Sequence, residues 1–421
     1  MSAKSFIEYS AETEFPLENI PFGVFRKSAN EKSRCASIIG DFVVDLYELV
    51  DAGLLKGEAL GDGAVLKEEN LNAFMGLTRP AWREARATIQ SLLSADNATL
   101  RDNAELRARV LLPASSVELL LPCRIGDYTD FYASKEHASN VGTMFRGKDN
   151  ALMPNWVWLP VGYHGRASSV VVSGHSFPRP SGQTKADTDD APKYTPCRLL
   201  DFELEMGFFV GTGNKQGDPI SMEEAEDKIF GVVLMNDWSA RDIQKWEYVP
   251  LGPFGAKNFC TTISPWIVTL DALEPFRCPQ PKQDPAPLEY LKDSKDSAYD
   301  INLSVAIKPK ASEEAFVVCN SNLKYMYWTL KQQLVHHTVT GCNMQPGDLL
   351  GTGTISGPER ENFGSMLEIS WRGTNPLTLP NGEQRKFLAD GDDVQIRGFC
   401  KGEGYKVGFG ACDGTILPAR Q

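Results

Sequence analysis

Short apolar runs separated by turn residues make up most of the chain. Beyond residue 120, examples are the runs 170–173, 301–307, 366–371 and 394–399, which are rich in Val, Ile, Phe and Trp. Runs of this length bounded by Gly, Pro and Asn are typical of strands, and few long helical patterns lie between them. The pattern predicts an antiparallel or mixed β architecture over residues 121–421 rather than a doubly wound sheet.

The first 120 residues have a different pattern. Three apolar runs predict a small set of strands, at 23–25, 35–39 and 42–46. A Gly40-Asp41 pair separates the last two, and Gly followed by Asp is a common two-residue hairpin turn. Residues 1–120 are therefore predicted to start as a small β domain.

A helical period follows these strands over residues 66–110. Trp82, Ala85, Ile89 and Leu92 recur at three- or four-residue steps and form an apolar stripe. We expect this segment to be a helical connector whose stripe packs against the larger domain. The overall prediction is a mostly β fold with some α.

Composition excludes several classes of protein. A chain of 421 residues is long enough for two domains. Its net charge of -12 argues against a nucleic-acid partner, whose phosphates require a basic surface. Its nine cysteines include no Cys-x-x-Cys pair, and no apolar run approaches the ~20 residues that cross a bilayer. The expectation is a cytoplasmic protein with neither nucleic-acid nor membrane partners.

Two glutamates lie close together in an otherwise apolar run, residues 198–209. In a strand, Glu203 and Glu205 would point to one side, while Leu204 and its apolar neighbours point to the other. Like charges on one face repel unless a cation lies between them. Carboxylate oxygens are the ligands that Mg²⁺ and Ca²⁺ prefer. The alternative is a solvated strand face carrying two ordinary surface glutamates.

Two aspartates extend this pattern. Asp130 stands in an aromatic segment and precedes His137, on a probable helix, by seven residues. Asp237 follows the apolar run 229–235 and precedes a probable helix, so it is either a cation ligand or an N-cap residue. In that helix Arg241 and Gln244, three residues apart, would share one face.

Two further charged residues lie in apolar surroundings. Lys257 follows a Gly- and Pro-rich loop, and Glu368 is a lone carboxylate in the predicted strand 366–371, where it would face either water or a histidine. The segment 351–357 is glycine-rich but lacks the Gly-x-Gly-x-x-Gly spacing of a nucleotide loop. We therefore do not predict a nucleotide site.

Five motifs, taken together and in this order, resemble those of the fumarylacetoacetate hydrolase family over essentially the whole chain. They are Asp127-Tyr-Thr-Asp-Phe-Tyr, Pro160-Val-Gly-Tyr-His-Gly-Arg, Asp201-Phe-Glu-Leu-Glu-Met-Gly, Asn236-Asp-Trp-Ser-Ala-Arg-Asp-Ile-Gln and Gly255-Ala-Lys-Asn-Phe. The resemblance implies an SH3-like N-terminal domain over residues 1–120, a C-terminal mixed β-roll over residues 121–421 with the active site in it, and a homodimer. It also implies a small diketo-acid substrate, 4-fumarylacetoacetate, whose carbon–carbon bond is hydrolysed to fumarate and acetoacetate in the last step of tyrosine and phenylalanine catabolism.

The same resemblance assigns roles to residues of this chain. The metal ligands for Mg²⁺ or Ca²⁺ would be Asp130, Glu203, Glu205 and Asp237, with Lys257 and Thr261 in further metal-site contacts. The general base would be His137, oriented by Glu368, with Arg241, Gln244 and Lys257 near the reacting carbonyl. Substrate would be bound by Tyr132, Arg146, Tyr163, Gln244, Tyr248 and Thr354.

Two other functions compete with this one. A related enzyme of the same superfamily, acting on another acylpyruvate or on a decarboxylation substrate, would share the carboxylates. A non-catalytic, metal-stabilised binding protein would need the carboxylates but would have no use for His137, Lys257 or Arg241, so their presence counts against it.

Overall fold

A computed structural model of the chain describes residues 4–420. Its N-terminal part has five strands, β1 (Gly23–Arg26), β2 (Arg34–Ile39), β3 (Phe42–Asp45), β4 (Leu111–Pro113) and β5 (Glu118–Leu120). They form one antiparallel sheet in the order β4-β3-β2-β1-β5. The predicted turn at Gly40 is confirmed, since Ile39 pairs with Phe42 and Gly40 has a φ of +53°.

The helical segment that follows is confirmed as several helices rather than one. The helix α1 (Leu46–Asp51) precedes the predicted segment 66–110, and the helices within that segment are α2 (Asn72–Met75), α3 (Arg79–Leu93), α4 (Ala98–Arg101) and α5 (Ala104–Val110). The longest, α3, buries the predicted stripe of Trp82, Ala85, Ile89 and Leu92. Because α1 begins at Leu46, the strand β3 ends at Asp45, one residue earlier than predicted.

The C-terminal part is a mixed α and β structure. Its strands are β6 (Tyr128–Phe131), β7 (Gly162–His164), β8 (Val170–Val172), β9 (His175–Pro178), β10 (Ser181–Thr184), β11 (Lys193–Pro196), β12 (Leu200–Asp201), β13 (Leu204–Val210), β14 (Ile229–Asp237), β15 (Ser239–Ala240), β16 (Thr261–Ile263), β17 (Val268–Thr269), β18 (Arg277–Cys278), β19 (Ala298–Tyr299), β20 (Asn302–Lys308), β21 (Phe316–Asn322), β22 (Leu349–Gly351), β23 (Leu377–Thr378), β24 (Gln384–Arg385), β25 (Asp393–Lys401), β26 (Lys406–Gly408) and β27 (Cys412–Leu417). Its helices are α6 (Lys135–Arg146), α7 (Ala225–Lys228), α8 (Arg241–Glu247), α9 (Leu270–Leu273), α10 (Leu330–Thr338) and α11 (Met366–Ile369). No helix within residues 4–420 is long and apolar enough to cross a membrane.

Two sheets dominate this part. One has eight strands, in the order β7-β6-β22-β13-β14-β16-β8, with β17 also paired to β14. The other has six, in the order β21-β20-β25-β27-β9, with β26 paired to β25. Both contain antiparallel and parallel pairs, so the predicted mixed architecture is confirmed.

The eight-stranded sheet has apolar side chains on both faces. On β14, Val232 and Leu234 lie in the core of the C-terminal part, whereas Val233 and Met235 lie in the core shared with the N-terminal helices. Side chains alternate along a strand, so a strand buried on both faces reads as one continuous apolar run. This explains why residues 229–235 show no alternation.

Aromatic packing joins the N-terminal part to this sheet. Trp82 of α3 meets Phe230 of β14 edge-on, with ring centroids 5.1 Å apart, and Phe22 and Phe74 lie 5.9 and 5.7 Å from the same ring. Gly211 lies directly under the indole, where a Cβ atom would come within 2.3 Å of Trp82. The expected packing of the helical stripe against the larger part is confirmed.

One predicted strand is wrong. Residues 366–371 include the short helix α11, in which Ser365 is the N-cap and accepts a hydrogen bond from the Glu368 amide. Trp371 and Arg372 then turn the chain with positive φ values of 48° and 59°. A short, fully buried apolar run has no periodicity that separates a strand from a helical turn.

We expect Trp82→Ala to lower the free energy of unfolding by about 3–5 kcal/mol, because it removes a buried indole between the two parts and leaves a cavity. Denaturant unfolding followed by circular dichroism measures this change. Trp158→Ala is the matched control, since Trp158 is 43% exposed and its loss should cost less than about 1 kcal/mol. Equal effects of the two substitutions would show that the aromatic contact does not join the two parts.

Candidate active site

Neighbouring strands bring three predicted carboxylates to one place. Asp130 lies on β6 opposite Gly351 of β22, and β22 in turn pairs with β13, which carries Glu205. Glu205 pairs with Met235 of β14, two residues before Asp237. The ligand atoms of Asp130, Glu205 and Asp237 all lie within 4.8 Å of one another. Parallel and antiparallel pairing in one sheet thus assembles a cluster from distant segments.

Gly351 leaves the space in which these carboxylates meet. A Cβ atom at this position would lie 2.6 Å from Asp130 Oδ1 and 3.1 Å from Glu205 Oε2. Any residue larger than glycine at position 351 would push the two carboxylates apart. The glycine-rich segment that fails as a nucleotide loop therefore has a steric role beside the carboxylates.

The carboxylate cluster is buried and incompletely satisfied. Asp130, Glu205 and Asp237 are each at most 1% exposed. Asp130 Oδ1 and Glu205 Oε1 have no hydrogen-bond partner among the described residues. Burial, and then repulsion from the other acidic groups, raises the pKa of Asp130 and that of Glu205 well above the ordinary carboxyl range.

The other oxygens of the cluster are held by neighbouring donors. The Tyr163 hydroxyl lies 2.9 Å from both Asp130 Oδ2 and Asp237 Oδ2, and it can donate to only one of them at a time. Thr261 Oγ1 donates to Asp237 Oδ1 at 3.0 Å, and the Gly353 amide donates to Glu205 Oε2 at 3.0 Å. The two oxygens without partners are therefore the positions open to a cation.

The donor set fits a hard divalent cation. Three buried carboxylates, two of which have an unpartnered oxygen, form the kind of oxygen-only group that Mg²⁺ and Ca²⁺ coordinate, and no sulfur or imidazole ligand competes within this group. An uncompensated buried carboxylate is costly, so each group must either take a proton or meet a positive charge. Asp130, Glu205 and Asp237 could hold such an ion.

Glu203, the fourth predicted carboxylate, is paired with two cationic side chains. Lys257 Nζ lies between Glu203 Oε2 and Asp237 Oδ2, and Arg241 Nη2 donates to Glu203 Oε1 at 2.8 Å. Although burial opposes ionisation, Lys257 and then Arg241 hold the pKa of Glu203 well below its usual range. Burial likewise opposes the charge of Lys257, yet Asp237 and Glu203 raise its pKa. Glu203 thus stays ionised in the absence of any metal.

Arg241 is held from two further sides. Its Nε donates to Asp201 Oδ2 at 2.9 Å, and its Nη1 donates to Gln244 Oε1 at 3.2 Å. The predicted shared face of Arg241 and Gln244 on α8 is confirmed by this contact. The guanidinium therefore links Asp201, Glu203 and Gln244.

His137 and Glu368 form a buried pair beside this network. His137 Nδ1 lies 2.7 Å from Glu368 Oε2, and both side chains are at most 3% exposed. Burial opposes the charge of Glu368, but His137, together with hydrogen bonds from Asn140 and Ser365, lowers its pKa. His137 Nε2 lies 3.9 Å from Glu203 Oε1. The imidazole thus has its Nδ1 within hydrogen-bond distance of the Glu368 carboxylate, while its Nε2 faces Glu203.

The remaining predicted residues lie at varying depth. Tyr132 is half-buried, with its ring 5.3 Å from that of His137, and Thr354 is buried in the segment after β22. Arg146 ends α6 with an exposed side chain that donates to the Ala151 carbonyl at 2.7 Å. Tyr248, directly after α8, is 46% exposed.

Sequence reasoning missed several residues around Glu368. Asn140 Nδ2 donates to Glu368 Oε1 at 2.9 Å, while Ser356 Oγ and Ser365 Oγ donate to Oε2 at 3.0 and 2.8 Å. In the sequence, Asp201 stands out only as part of a family motif. Asn140 follows His137 by three residues on α6, so helical spacing could have found it. Ser356 lies in the glycine-rich segment 351–357, and Ser365 is the N-cap of the helix that the sequence pattern predicted as a strand.

Comparison with known proteins identifies the chain's relatives. The sequence model of one protein family, the fumarylacetoacetate (FAA) hydrolase C-terminal region, matches residues 127–417. That of a second family, the fumarylacetoacetase N-terminal region, matches residues 18–122. A fumarylacetoacetase from Dictyostelium discoideum is 60% identical over 420 residues, covering 99% of this chain and 98% of the relative. One from Homo sapiens is 57% identical over 416 residues, covering 99% of each chain.

Solved structures with low sequence identity share the fold. A fumarylacetoacetate hydrolase from Exiguobacterium antarcticum is 16% identical with a TM-score of 0.52, covering 95% of this chain and all of the other. A putative HpcE protein from Mycobacterium smegmatis is 18% identical with a TM-score of 0.54, covering 94% and 99% of the two chains. The family matches and the relatives span nearly the full chain. The chain therefore belongs to the fumarylacetoacetate hydrolase family and is a hydrolase.

Proposed function

We propose that this chain hydrolyses the carbon–carbon bond of 4-fumarylacetoacetate to fumarate and acetoacetate, as the last step of tyrosine and phenylalanine catabolism. The observation that carries the proposal is the buried His137–Glu368 pair beside a cluster of carboxylates and cations. The names of the relatives at 57–60% identity supply the substrate.

In this proposal His137 activates water. Glu368 stays ionised and accepts a hydrogen bond from the Nδ1–H of His137, so that the lone pair of Nε2 is free to take a proton from water. The water oxygen bonds to the ketone carbon of the fumaryl group, which becomes the new carboxyl carbon of fumarate. The bond from that carbon to the acetoacetyl group then breaks, its electron pair leaves as an enolate, and the His137 proton is returned to the enolate carbon.

The charge that develops on oxygen needs positive partners. A divalent cation, Mg²⁺ or Ca²⁺, held by Asp130, Glu205 and Asp237, would supply Lewis acidity for the diketone oxygens. We propose that Glu203, Lys257 and Thr261 complete the surroundings of that cation. This proposal is supported by their contacts with one another and with Asp237.

Arg241, Gln244 and Lys257 are proposed donors to the reacting carbonyl oxygen. A single donor of this kind contributes about 3 kcal/mol to transition-state stabilisation. Arg241 and Lys257 are buried and fixed by carboxylates, so they need no reorganisation when charge appears.

Substrate binding is proposed for a set of residues that border this network. They are Tyr132, Arg146, Tyr163, Gln244, Tyr248 and Thr354. Arginine suits a carboxylate-bearing substrate because its guanidinium makes paired hydrogen bonds to carboxylates. The exposure of Arg146 and Tyr248 is consistent with a place at the entrance.

We also propose two domains, residues 1–120 and 121–421, in a cytoplasmic homodimer. β5 ends at Leu120 and β6 begins at Tyr128, which supports the boundary. The exposed apolar side chains of Trp246, Val249, Leu251 and Phe254 are typical of a protein–protein contact.

Metal binding should stabilise the protein. After EDTA treatment, addition of Mg²⁺ or Ca²⁺ at about 100 times its Kd should raise the free energy of unfolding by about 2.7 kcal/mol, seen as a higher Tm. Glu205→Gln should abolish most of this shift. Asp392→Asn should keep it, because Asp392 is equally buried but pairs with Arg385 away from the cluster. An equal shift in both variants would contradict the assignment.

The same binding should weaken as the pH falls. Because the pKa values of Asp130 and Glu205 are raised, these carboxyl groups hold protons when no metal is bound. Those protons must leave when a cation binds. Calorimetry in two buffers of different ionisation enthalpy should show proton release, and the apparent Kd should rise with decreasing pH. Binding without proton release would contradict this linkage.

Activity should require His137. In an assay that follows the loss of fumarylacetoacetate absorbance, His137→Ala should lower kcat by about 10²–10⁴-fold because the general base is gone. His175→Ala is the control, since His175 is exposed on β9 and should leave kcat unchanged. EDTA should abolish turnover by the native protein. Metal binding without any turnover would favour a related substrate or the binding-protein alternative.

Sedimentation equilibrium should report twice the chain mass of 46.5 kDa. A mass of one chain that does not change with concentration would contradict the homodimer.

A further inference from the structure

Asp201 connects two parts of the site that lie far apart in sequence. It ends β12, pairs with Ser239 of β15, and is fully buried. β15 leads directly into α8 and Arg241. The strand pairing therefore places the Asp201 carboxylate beside the Arg241 side chain.

The same carboxylate also binds the first turn of α11. Its Oδ1 accepts a hydrogen bond from the Met366 amide at 2.6 Å, and its Oδ2 accepts one from the Leu367 amide at 3.0 Å. Oδ2 also accepts the bond from Arg241 Nε at 2.9 Å. Both amides are first-turn donors that have no partner within the helix. Asp201 thus satisfies two backbone groups and one guanidinium at once.

The two partners of Asp201 lead to opposite sides of the reacting atoms. α11 carries Glu368, which holds His137 Nδ1. Arg241 holds Glu203, which faces His137 Nε2. A shift in Asp201 would therefore move both the group that orients the imidazole and the guanidinium next to it.

We propose that Asp201 is a positioning residue that sets the distance between the His137–Glu368 pair and Arg241. This inference rests on the proposed function, in which His137 is the base and Arg241 is a donor to the substrate. Asp201 itself touches no substrate in this proposal, and it acts through α11 and α8.

Asp201→Asn separates this role from simple packing. The amide has nearly the shape of the carboxylate, but it has one acceptor oxygen for three donors, and its NH₂ group would face either a backbone N–H or the guanidinium. Asp45→Asn is the matched control. Asp45 is also fully buried, pairs with Arg34 at 2.8 Å, and caps α1, but it lies in the N-terminal domain.

The first readout is steady-state kinetics on 4-fumarylacetoacetate with the metal-loaded protein. We expect Asp201→Asn to lower kcat by about 10²-fold with KM changed less than about threefold, because displacement of catalytic groups by about 1 Å has such an effect. Asp45→Asn should lower Tm to a similar extent and leave kcat within twofold. A kcat for Asp201→Asn within twofold of native would overturn the proposal.

The second readout is the same substitution in a Glu368→Gln background. Since Glu368 then no longer orients His137 as a carboxylate, the loss caused by Asp201→Asn should shrink at least fivefold. An undiminished loss would mean that Asp201 acts through Arg241 alone, which overturns the positioning of α11.

The third readout does not depend on turnover. Hydrogen exchange of the Met366 and Leu367 amides should be faster in Asp201→Asn than in native protein and unchanged in Asp45→Asn. If the native protein proves inactive on 4-fumarylacetoacetate, the proposed function fails while this result still decides whether Asp201 anchors α11. Unchanged exchange in Asp201→Asn would overturn the anchoring.

Discussion

Several carboxylates buried at one place in a sheet are the constraint on which the arrangement of the site depends. Each must be protonated or meet a positive charge, because an isolated buried carboxylate is too costly. Glu203 and Asp237 are met by Lys257, and Glu203 also by Arg241. Asp130 and Glu205 have no such partner among the described residues, so their oxygens are left for protons or for a cation.

This division of charge explains why the site needs both lysine and arginine. Lys257 is a compact charge that fits between two carboxylates, whereas the planar Arg241 reaches Asp201, Glu203 and Gln244 through separate nitrogens. The side chains proposed to act on substrate are thus also those that make the buried cluster tolerable.

Much of this could be predicted from the sequence, and the exceptions have physical reasons. The strands, the N-terminal hairpin and the helical stripe follow from local periodicity. The approach of Asp130, Glu205 and Asp237 depends on strand order, which no local pattern contains; the family motifs brought these residues together instead. The helix around Glu368 was mistaken for a strand because four buried residues in a row show no period. The hydrogen bonds of Asp201 were missed because they depend on that helix.

Burial decreases from the groups proposed to react towards Arg146 and Tyr248, two of the proposed substrate residues, and this separates two demands on the protein. His137, Glu368 and the carboxylates lie on strands and helix starts whose positions are set by two cores, so their geometry cannot change without repacking. Arg146 and Tyr248 lie at or just beyond the ends of α6 and α8, where substitutions disturb no core. The groups proposed to carry the chemistry are therefore tied to the fold, whereas Arg146 and Tyr248, two of the residues proposed to bind substrate, can vary with little loss of stability. Asp201 belongs to the first group although it meets no substrate, because the position of two elements depends on one carboxylate.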